Sequence, residues 1–303
     1  MIRKGIILAG GSGTRLYPVT QIISKQLLPI FDKPMIYYPL CTLMLAGIRD
    51  ILIIATPHDL PQFRALLRDG AHLGVRISYA EQPKPEGLAQ AFLIGEKWID
   101  GEGCALILGD NLIHGSYLSI MLRKASARTE GATIFAYQVR DPERYGILAF
   151  DQAGKPADIV EKPVTPPSNW AGTGLYFYDR HVTDYARRIK PSLRNELELT
   201  DLNNIYLHKN AMRVERLGRG VAWLDAGTPQ PLLQAATFVQ TIQDRQGNLV
   251  GCPEEVAFHM NFIDADQLRE QARAIEKTEL GGILMKIADR EICSYEPGNE
   301  PII

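Results

Sequence analysis

The chain of 303 residues contains no apolar run near the roughly 20 residues that a bilayer-spanning helix requires. Its N-terminal segment MIRKGIILAGG is apolar only briefly before the glycines, so it lacks the longer apolar region and the cleavage site of a signal peptide. We interpret this segment as a buried strand. The sequence therefore predicts a cytoplasmic protein without a membrane partner.

Cysteine and histidine are sparse, and neither occurs at a metal-binding spacing. The six histidines form no HxxxH or HExxH pattern, which argues against a zinc site. No two cysteines form a CxxC pair, so we expect isolated thiols in a reducing compartment. The four cysteines are Cys41, Cys104, Cys252 and Cys293.

An excess of positive charge is also absent, because the formal net charge is -2. A chain without a basic surface gives little support to nucleic-acid binding. Any phosphate-bearing substrate must therefore meet cations that are clustered locally. Hydrophobic residues make up 46% of the chain, which is enough to bury a sizeable core in one large domain or in one domain with an appendage.

Strand-like apolar runs alternate with helical patterns over the first two thirds of the chain. Such alternation is typical of βαβ units with right-handed crossovers, a mostly parallel sheet and helices on both faces. Ligands of these folds bind at the carboxyl ends of the strands. The predicted strands are Gly5–Ala9, Ile51–Ala55, Val75–Tyr79, Ala105–Leu108 and Thr133–Tyr137, and the predicted helices are Met35–Ala46, Asp59–Arg68, Leu88–Trp98 and Tyr117–Arg128.

After Tyr145 the pattern changes to shorter strands, which we expect to join the same sheet, and after Pro229 it becomes helical. We predict an α/β fold with a Rossmann-like, mostly parallel mixed sheet flanked by helices, and a C-terminal helical extension. The core is expected over residues 1–228, in halves of about 1–140 and 141–228, with a helical cap over 229–303. The later strands are Gly146–Phe150, Gly174–Tyr178 and Arg213–Leu217, and the cap helices are Gln230–Asp244, Asp264–Ala274 and Thr278–Arg290.

A glycine-rich loop, LAGGSGTRL from Leu8 to Leu16, follows the first predicted strand. Glycines allow backbone N–H groups to approach phosphates closely. The loop is not a Walker A motif, since no GK[ST] follows, and it is not a dinucleotide fingerprint, since Leu16 stands where the third glycine belongs. Taken alone, it is also compatible with an ordinary strand-to-helix turn.

Two cations close to this loop favour a triphosphate as its ligand. Arg15 ends the loop, and Lys25 opens the segment KQLLP, with Lys33 following. Each cation can neutralise the charge that moves onto the bridging oxygen as pyrophosphate leaves. A lone KxxP segment would more often be a solvated loop, so the interpretation depends on the combination.

At this point the chain resembles the sugar-1-phosphate nucleotidylyltransferases, through GGSGTRL-x-P-x-T followed by KQLLPI-x-DKPMIYYPL. The resemblance extends from Lys4 to about Ile287 and is nearest to the members that use dTTP. It implies Mg²⁺-dependent, in-line transfer of the thymidylyl group of dTTP to glucose 1-phosphate, giving dTDP-glucose and pyrophosphate. This would be the first step of dTDP-L-rhamnose or related deoxysugar biosynthesis for cell-surface polysaccharide. The family commonly forms homotetramers, and the helical cap would then serve oligomerisation and regulation.

Two aspartates follow apolar runs and are candidates for metal ligands. Asp110 ends Leu106-Ile107-Leu108-Gly109-Asp110, and Asp225 ends a second run. Carboxylates from separate strand ends suit Mg²⁺, which prefers oxygen ligands and retains water and phosphate oxygens, although each aspartate alone is equally compatible with a turn or helix cap. Resemblance to the family implies that these two acids hold the magnesium. No constellation for hydrolysis is evident, and a sugar phosphate oxygen is already ionised at neutral pH, so positioning and charge stabilisation suffice.

Gln82 offers both a donor and an acceptor, which matches the imide edge of thymine or uracil. By resemblance, Gln82 and the backbone of Gly87 read the pyrimidine, Leu8 lies beside it, and Gln26 lies near the deoxyribose. The residues that the resemblance places at the nucleotide are Leu8, Gly10, Gly11, Ser12, Gly13, Thr14, Arg15, Gln26, Gln82 and Gly87.

On the sugar side, Glu161 can accept hydrogen bonds from hydroxyls, and Lys162 can hold the 1-phosphate, although an EKP turn alone is most often a solvated loop. Arg194 resembles the family's phosphate-contacting arginine, and an arginine among acids is otherwise more often merely paired. The sugar-phosphate set is Tyr145, Gly146, Glu161, Lys162, Thr173 and Arg194, and the catalytic set is Arg15, Lys25, Asp110, Lys162 and Asp225.

Several positions depart from the family pattern. Gly172 stands where a valine usually lines the sugar pocket, which suggests a larger pocket, and Asn195 replaces a glycine beside Arg194. Members of the family bind the end product of their pathway at a second site. Two positions that are usually basic there hold Leu249 and His259, so we expect feedback inhibition to be weaker or altered. The residues expected at this regulatory site are Gly115, Arg219, Glu255 and His259.

Alternative functions stay open at this stage. Thymine and uracil share the edge that Gln82 reads, so UTP is an alternative to dTTP, and a sugar 1-phosphate other than glucose 1-phosphate is an alternative co-substrate. A regulatory homologue that binds nucleotide sugars without catalysis is a third possibility. Retention of Arg15, Lys25, Asp110 and Asp225 argues against it.

Overall fold

The computed structural model describes residues 1–11 and 13–289, and within them thirteen strands build one large sheet and two small ones. Most of the strands are short and rich in β-branched or aromatic residues. They are β1 (Lys4–Leu8), β2 (Pro29–Ile30), β3 (Lys33–Pro34), β4 (Asp50–Ala55), β5 (Arg76–Glu81), β6 (Cys104–Leu108), β7 (Asn111–Gly115), β8 (Ala132–Gln138), β9 (Gly146–Phe150), β10 (Pro156–Glu161), β11 (Trp170–Tyr178), β12 (Met212–Arg216) and β13 (Val221–Asp225).

Eleven α-helices occur in the same described residues. They are α1 (Tyr37–Leu45), α2 (Leu60–Leu67), α3 (Gln90–Ile94), α4 (Glu96–Ile99), α5 (Leu118–Ser126), α6 (Val182–Ala186), α7 (Leu199–His208), α8 (Pro229–Gln246), α9 (Pro253–His259), α10 (Ala265–Ala274) and α11 (Glu279–Ala288). None of these helices combines the length and the apolar character that crossing a membrane requires.

The large sheet has nine strands. Seven of them follow the order β10-β9-β11-β6-β1-β4-β5, while β8 pairs with β11 and β12 pairs with β8. Strands β6, β1, β4 and β5 are parallel, and β11 runs antiparallel to β6. Leu8, the last residue of β1, pairs with Ile54 and Leu108. The carboxyl ends of four neighbouring strands therefore share one edge, where the glycine loop, the end of β5 and Asp110 all lie.

The two faces of this sheet are covered by different helices. On β1, Ile7 packs into one core cluster with residues of α1, α2, α5 and the C-terminal helices, whereas Ile6 and Leu8 pack into another with α3, α4, α6 and α7. This alternation follows from the period of two along a strand. The continuous apolar runs of the sequence arise because both faces are buried.

Strands β7 and β13 form a separate antiparallel ribbon, with Asn111 opposite Asp225 and Gly115 opposite Val221. Helix α8 contacts β13 and β2 and contributes Ala235 and Val239 to a third apolar cluster. The ribbon therefore places Asp225 opposite Asn111, the residue that follows the other predicted metal ligand, Asp110.

The predicted fold class is confirmed, and the later strands do join the large sheet. One predicted helix, Leu88–Trp98, is divided into α3 and α4 at Gly95, where an added Cβ would lie 3.0 Å from the Ala91 carbonyl oxygen and 3.3 Å from Ile6. A glycine allows the helix to approach β1 this closely, and it also weakens helix continuity. Strands β7 and β10 and helices α6, α7 and α9 were not predicted.

The C-terminal segment packs against the core through side-chain contacts. The side-chain Nε2 of Gln271 on α10 donates to the His72 carbonyl at 2.8 Å. The Arg49 guanidinium lies over the ring of Phe262, which lies between α9 and α10. Helix α10 begins with a capping box between Asp264 and Gln267. The last residue of the predicted helix Thr278–Arg290 and Cys293 lie outside the described residues, and the other three cysteines are buried thiols without a disulfide.

Candidate active site

The glycine loop bends sharply after β1 and runs against the end of β5. An added Cβ at Gly10 would lie 1.9 Å from Oε1 of Gln82, so a larger residue here would displace the Gln82 amide. Gly11 and Gly13 have φ of 112° and 62°, and a 3₁₀ turn from Thr14 to Leu16 follows. The loop thus presents backbone close to the predicted base-reading amide. Ser12 lies outside the described residues.

Four charged side chains converge beside this loop. The Lys25 ammonium contacts Oδ2 of Asp110 at 2.5 Å. An added Cβ at Gly227 would lie 3.0 Å from Nη2 of Arg15, 3.0 Å from Oδ1 of Asp225 and 3.2 Å from Oδ2 of Asp110. The cations and carboxylates therefore surround one point at the carboxyl edge of the sheet, although Asp110 and Asp225 are far apart in sequence.

The pKa values of the two aspartates move in opposite directions. Burial raises the pKa of Asp110, but the Lys25 ammonium, the Asn111 amide and the Arg15 guanidinium together outweigh it and lower the pKa below its ordinary value. Burial, followed by the charge of Asp110, raises the pKa of Asp225. The site thus brings the buried carboxylate of Asp110 and the partly buried carboxylate of Asp225 close enough to repel each other, and an added cation would relieve this repulsion. No third His, Cys, Asp or Glu joins them in a ligand set within the described residues.

The residues predicted to contact the base and the deoxyribose also lie beside this loop and the end of β6. Gln82 is buried and donates through Nε2 to Oε1 of Gln90 at 2.7 Å, while its Oε1 faces Gly10. Gln26 is also buried and packs against Gly109, which in turn lies beside the Leu8 carbonyl. The side chains predicted to read the base and the sugar of a nucleotide therefore flank the ends of β1 and β6.

Glu161, at the end of β10, is the centre of the predicted sugar side. Its carboxylate accepts from the Thr200 hydroxyl at 2.5 Å and from the Arg194 guanidinium at 3.2 Å. The Lys162 ammonium lies 3.8 Å from the same carboxylate and is exposed. An added Cβ at Gly146 would lie 3.3 Å from Oε2 of Glu161, which explains why β9 carries a glycine there.

Arg194 is paired, as is typical of an arginine among acids, but its partners belong to the predicted site. It contacts the buried Glu198 at 2.9 Å in addition to Glu161, and Glu196 lies 3.5 Å away. Glu198 also accepts from the Ser192 hydroxyl at 2.7 Å. These contacts hold the guanidinium beside Glu161, within the same loop as the departure Asn195, which adopts a φ of 60°.

Asn111 connects the two sides and was missed by sequence reasoning. Its Oδ1 accepts from Nε1 of Trp223 at 2.6 Å and from the backbone of Gly174 at 3.1 Å, and its Nδ2 donates to Asp110 at 3.1 Å. Trp223 in turn packs against Tyr145, with ring centroids 5.1 Å apart. The only sequence feature that could have indicated this role is that Asn111 is a polar residue directly after Asp110, among apolar neighbours.

Thr173 and Gly172 form part of β11 next to this connection. Thr173 is fully buried, and its hydroxyl has no hydrogen-bond partner in the protein. An added Cβ at Gly172 would meet only the Gly146 carbonyl oxygen, at 3.7 Å. The space that a larger side chain could occupy is therefore open on the sugar side.

Besides the candidate active site, a pocket of about 580 Å³ lies between the β7–β13 ribbon, α8 and α9. Gly115, Arg219, Leu249 and Glu255 line it, and Oε2 of the buried Glu255 has no hydrogen-bond partner. His259 is not part of the lining, but its Nε2 lies 3.7 Å from Oε1 of Glu255. Three of the four residues predicted for a regulatory site thus share one pocket, and the fourth contacts it through Glu255.

Comparison with known proteins gives consistent matches. Residues 4–242 match the family model described as Nucleotidyl transferase. A glucose-1-phosphate thymidylyltransferase from Xanthomonas campestris pv. campestris (strain B100) is 60% identical over 288 residues, covering 95% of this chain and 98% of the relative.

Solved structures agree in fold. A Bacillus anthracis structure in complex with a sucrose, described as a candidate glucose-1-phosphate thymidylyltransferase, superposes with a TM-score of 0.72 at 38% identity, covering 78% of this chain and 94% of that one. A UDP-glucose pyrophosphorylase complexed with UDP-glucose superposes with a TM-score of 0.69 at 26% identity, covering 80% and 99%.

Proposed function

Because the chain belongs to the nucleotidyl transferase family, we propose that it is an enzyme that transfers the thymidylyl group of dTTP to glucose 1-phosphate. The products are dTDP-glucose and pyrophosphate, which would feed dTDP-L-rhamnose or a related deoxysugar. The nucleotide-binding half is residues 1–140, and the sugar-phosphate half is residues 141–228.

The reaction is an in-line displacement at the α-phosphorus of the nucleotide. A phosphate oxygen of glucose 1-phosphate forms the new P–O bond, and the bond from the α-phosphorus to the bridging oxygen of pyrophosphate breaks. The attacking oxygen is already ionised at neutral pH, so no general base is needed. Arg15 and Lys25 stabilise the triphosphate and the departing charge, and Lys162 with Arg194 orients the nucleophile.

Asp110 and Asp225 are the residues that would hold a Mg²⁺ ion. Their mutually repelling carboxylates, with pKa values shifted in opposite directions, fit a divalent cation that takes its other ligands from phosphate oxygens and water. When bound, the ion would neutralise charge on the triphosphate. Lys25 and Asn111 orient Asp110, and the Gly227 amide orients Asp225 through a hydrogen bond of 3.1 Å.

The observation that carries this proposal is the convergence of Arg15, Asp110 and Asp225 around Gly227, with Lys25 paired to Asp110. Pyrophosphate release should be measured with each of four nucleoside triphosphates and several sugar 1-phosphates in the presence of Mg²⁺. We expect the highest kcat/KM for dTTP with glucose 1-phosphate. Asp225→Asn should lower kcat roughly 10²–10³-fold, because an isosteric amide removes the charge but keeps the shape.

The matched control is Asp244→Asn, since Asp244 is exposed on α8. It should leave kcat within about twofold of the parent, as surface substitutions do. The proposal is wrong if no nucleotide and sugar 1-phosphate pair yields pyrophosphate, or if Asp225→Asn is as active as Asp244→Asn.

A second candidate differs in substrate choice. The open space at Gly172 supports a sugar 1-phosphate bulkier than glucose 1-phosphate, and the similarity to a UDP-glucose pyrophosphorylase supports UTP as an alternative nucleotide. In the same assay, this candidate is favoured if UTP or a substituted sugar 1-phosphate gives the larger kcat/KM. Gly172→Val should then reduce the use of the bulkier sugar more than that of glucose 1-phosphate.

We also propose that the pocket lined by Gly115, Arg219 and Glu255 is a regulatory site with altered feedback. Leu249 offers no charge to a phosphate there, and His259 pairs with Glu255. Activity should be followed against rising dTDP-L-rhamnose, with weak inhibition expected. Strong inhibition comparable to that of thymidylyltransferases with basic residues at both positions would contradict this proposal.

A homotetramer in the cytoplasm is the assembly that we propose, with the helical cap over 229–303 at its interfaces. The support is the exposed apolar Leu233 on α8 and Ile120 on α5, together with the family resemblance. Sedimentation would report the assembly, and a monomer at micromolar concentration would contradict it.

A further inference from the structure

The loop that would read the base is hydrogen-bonded to the loop that carries Arg194. The Leu197 amide donates to the Glu86 carbonyl at 2.7 Å, and the Ala89 amide donates to the Leu197 carbonyl at 3.1 Å. The two bonds enclose Gly87. We refer to residues 86–89 together with Leu197 as the clasp.

Gly87 is the point of closest approach within the clasp. It has a φ of 109°, and an added Cβ would lie 2.2 Å from the Leu197 nitrogen and 2.5 Å from its oxygen. Only a glycine allows both backbone bonds to form at this separation. The two loops are therefore held as one unit, and neither can move far without the other.

Gln90 ties the clasp to the buried Gln82. Its Oε1 accepts from Nε2 of Gln82 at 2.7 Å and from the Glu86 amide at 3.2 Å, while its Nε2 donates to Glu86 Oε2 at 2.9 Å. A base seated between Gln82 and Gly87 would thus contact a loop whose conformation Gln90 controls.

The other end of the clasp reaches the sugar side. Leu197 precedes Glu198, whose buried carboxylate holds Arg194 at 2.9 Å, and Arg194 contacts Glu161 at 3.2 Å. Hydrogen bonds and one peptide link therefore run without a gap from Gln82 to Glu161. Such a network can carry coupling between sites, but coupling itself has to be measured.

We propose that Gln90 and Gly87 are positioning residues through which bound nucleotide increases the affinity of the site for the sugar 1-phosphate. This inference rests on the proposed function. A base fixes the loop at Gly87, the clasp fixes Leu197 and Glu198, and Arg194 is then held where the phosphate of the second substrate binds. The coupling is reciprocal, so the sugar 1-phosphate strengthens nucleotide binding by the same factor.

The test is a measurement of dissociation constants by titration calorimetry. Glucose 1-phosphate is titrated with and without saturating Mg²⁺ and the α,β-methylene analogue of dTTP, which cannot release pyrophosphate. The ratio of the two dissociation constants is the coupling factor. We expect about tenfold for the parent protein, within the range usual for coupled sites.

Gln90→Leu should reduce the coupling factor to within about twofold of unity, with little change in the affinity for glucose 1-phosphate alone. Gly87→Ala should do the same and should also weaken nucleotide binding. The matched controls are Gln152→Leu and Gly154→Ala in the β9–β10 turn. Gln152 is exposed, and Gly154 has a φ of 75° with nothing within 4 Å of an added Cβ. Both controls should keep the parent coupling factor.

A measurement on the unaltered protein covers the case in which a variant fails to fold. Hydrogen exchange at the Leu197 amide should slow when the nucleotide analogue binds without sugar phosphate. An unchanged exchange rate overturns the inference, and so does a parent coupling factor retained in Gln90→Leu. If the parent binds neither ligand, the proposed function itself fails, which separates the two failures.

Discussion

At the scale of single residues, Asn111 shows how one amide organises the candidate site. Its side-chain oxygen accepts hydrogen bonds from the N–H groups of Trp223 and Gly174, and its side-chain nitrogen donates one to Asp110. An added Cβ at Gly174 would lie 2.6 Å from that oxygen, so the glycine in β11 is required by this contact. The orientation of Asp110 thus depends on residues of the proposed sugar-phosphate half.

His72 makes stability depend on pH. Its Nδ1 is buried without a hydrogen-bond partner, and burial lowers its pKa below 6.5, opposed by Glu254 and aided by Arg68. The unfolded chain takes up a proton as pH falls through about 6.5, whereas the folded chain resists it, so stability present at neutral pH is lost on acidification. We expect His72→Gln to lose less stability than the parent between pH 7.5 and 5.5, measured by urea unfolding.

His114 also has a pKa lowered by burial, so His72→Gln should remove only part of the pH dependence. The matched control is His208→Gln, because His208 is exposed at the end of α7. A control variant whose pH dependence falls as much as that of His72→Gln would show that the effect does not come from the buried ring.

At the scale of elements, the attachment of the C-terminal helices depends on Gly74. An added Cβ there would lie 2.2 Å from the Phe262 carbonyl oxygen, and φ is 64°. Gly74→Ala should lower the free energy of unfolding by about 2–3 kcal/mol, since backbone on both sides resists the shift. Urea unfolding of the intact chain measures this change.

Gly47→Ala is the control for positive φ alone, because Gly47 has a φ of 82° and nothing within 4 Å of an added Cβ. It should cost about 1 kcal/mol, the penalty of a left-handed conformation for a residue with a Cβ. Equal losses in the two variants would mean that the contact with Phe262 contributes nothing.

The central strands could be predicted from sequence because both of their faces are buried and their apolar runs are short. The ribbon of β7 and β13 could not be predicted as a separate sheet, since its pairing is set by tertiary contacts between segments far apart in the chain. The nine residues of α1 were predictable as a helix. Helix α9 was missed although Pro253 and the acids after it are typical of a helix start, because its seven residues are too few for a clear apolar period.

The part of the candidate site that lies in the glycine-loop motif and at the ends of predicted strands could be predicted from the sequence. Gly10 and Asp110 could be named because they follow predicted strands, and Arg15 and Lys25 because they are cations close to the glycine loop. The family resemblance is confirmed by the relatives. Gln90 and Thr200 could not be found from the sequence, because their contacts with Gln82 and Glu161 form only when the chain folds. A polar residue at the first position of α3, as Gln90 is, carries no local signal of a partner at Glu86 or Gln82.

At the scale of the whole molecule, chelation should separate activity from folding. Lys25, Asn111 and the Gly227 amide form hydrogen bonds with Asp110 and Asp225 that do not involve a divalent ion, so removing divalent ions should not unfold the chain. We expect an excess of EDTA to abolish pyrophosphate release and to leave the far-UV circular dichroism and Tm unchanged.

Excess Mg²⁺ added afterwards should restore the activity, and this recovery is the control for irreversible loss. An EDTA-treated protein that keeps its turnover would contradict the metal-dependent proposal. A large drop in Tm would instead mean that the ion stabilises the fold.

The sheet passes through both proposed halves without a break. Strand β11, in the sugar-phosphate half, pairs directly with β6, in the nucleotide half, and Leu175 lies opposite Ile107. Residues of α9, α10 and α11 share the core cluster that covers one face of this sheet. Relative motion of the halves is therefore limited to loops and to the ends of strands, including the clasp.

The pairing of Asn111 with Asp225 across the β7–β13 ribbon has a consequence for insertions and deletions. Successive side chains of a strand point to opposite sides, so losing one residue between Val221 and Leu224 would turn the Asp225 carboxylate away from Asp110. Changes of length are therefore far more harmful in this ribbon than in the exposed β9–β10 turn. The two proposed metal ligands, Asp110 and Asp225, are far apart in the chain, but their separation in space is fixed by the register of this one ribbon.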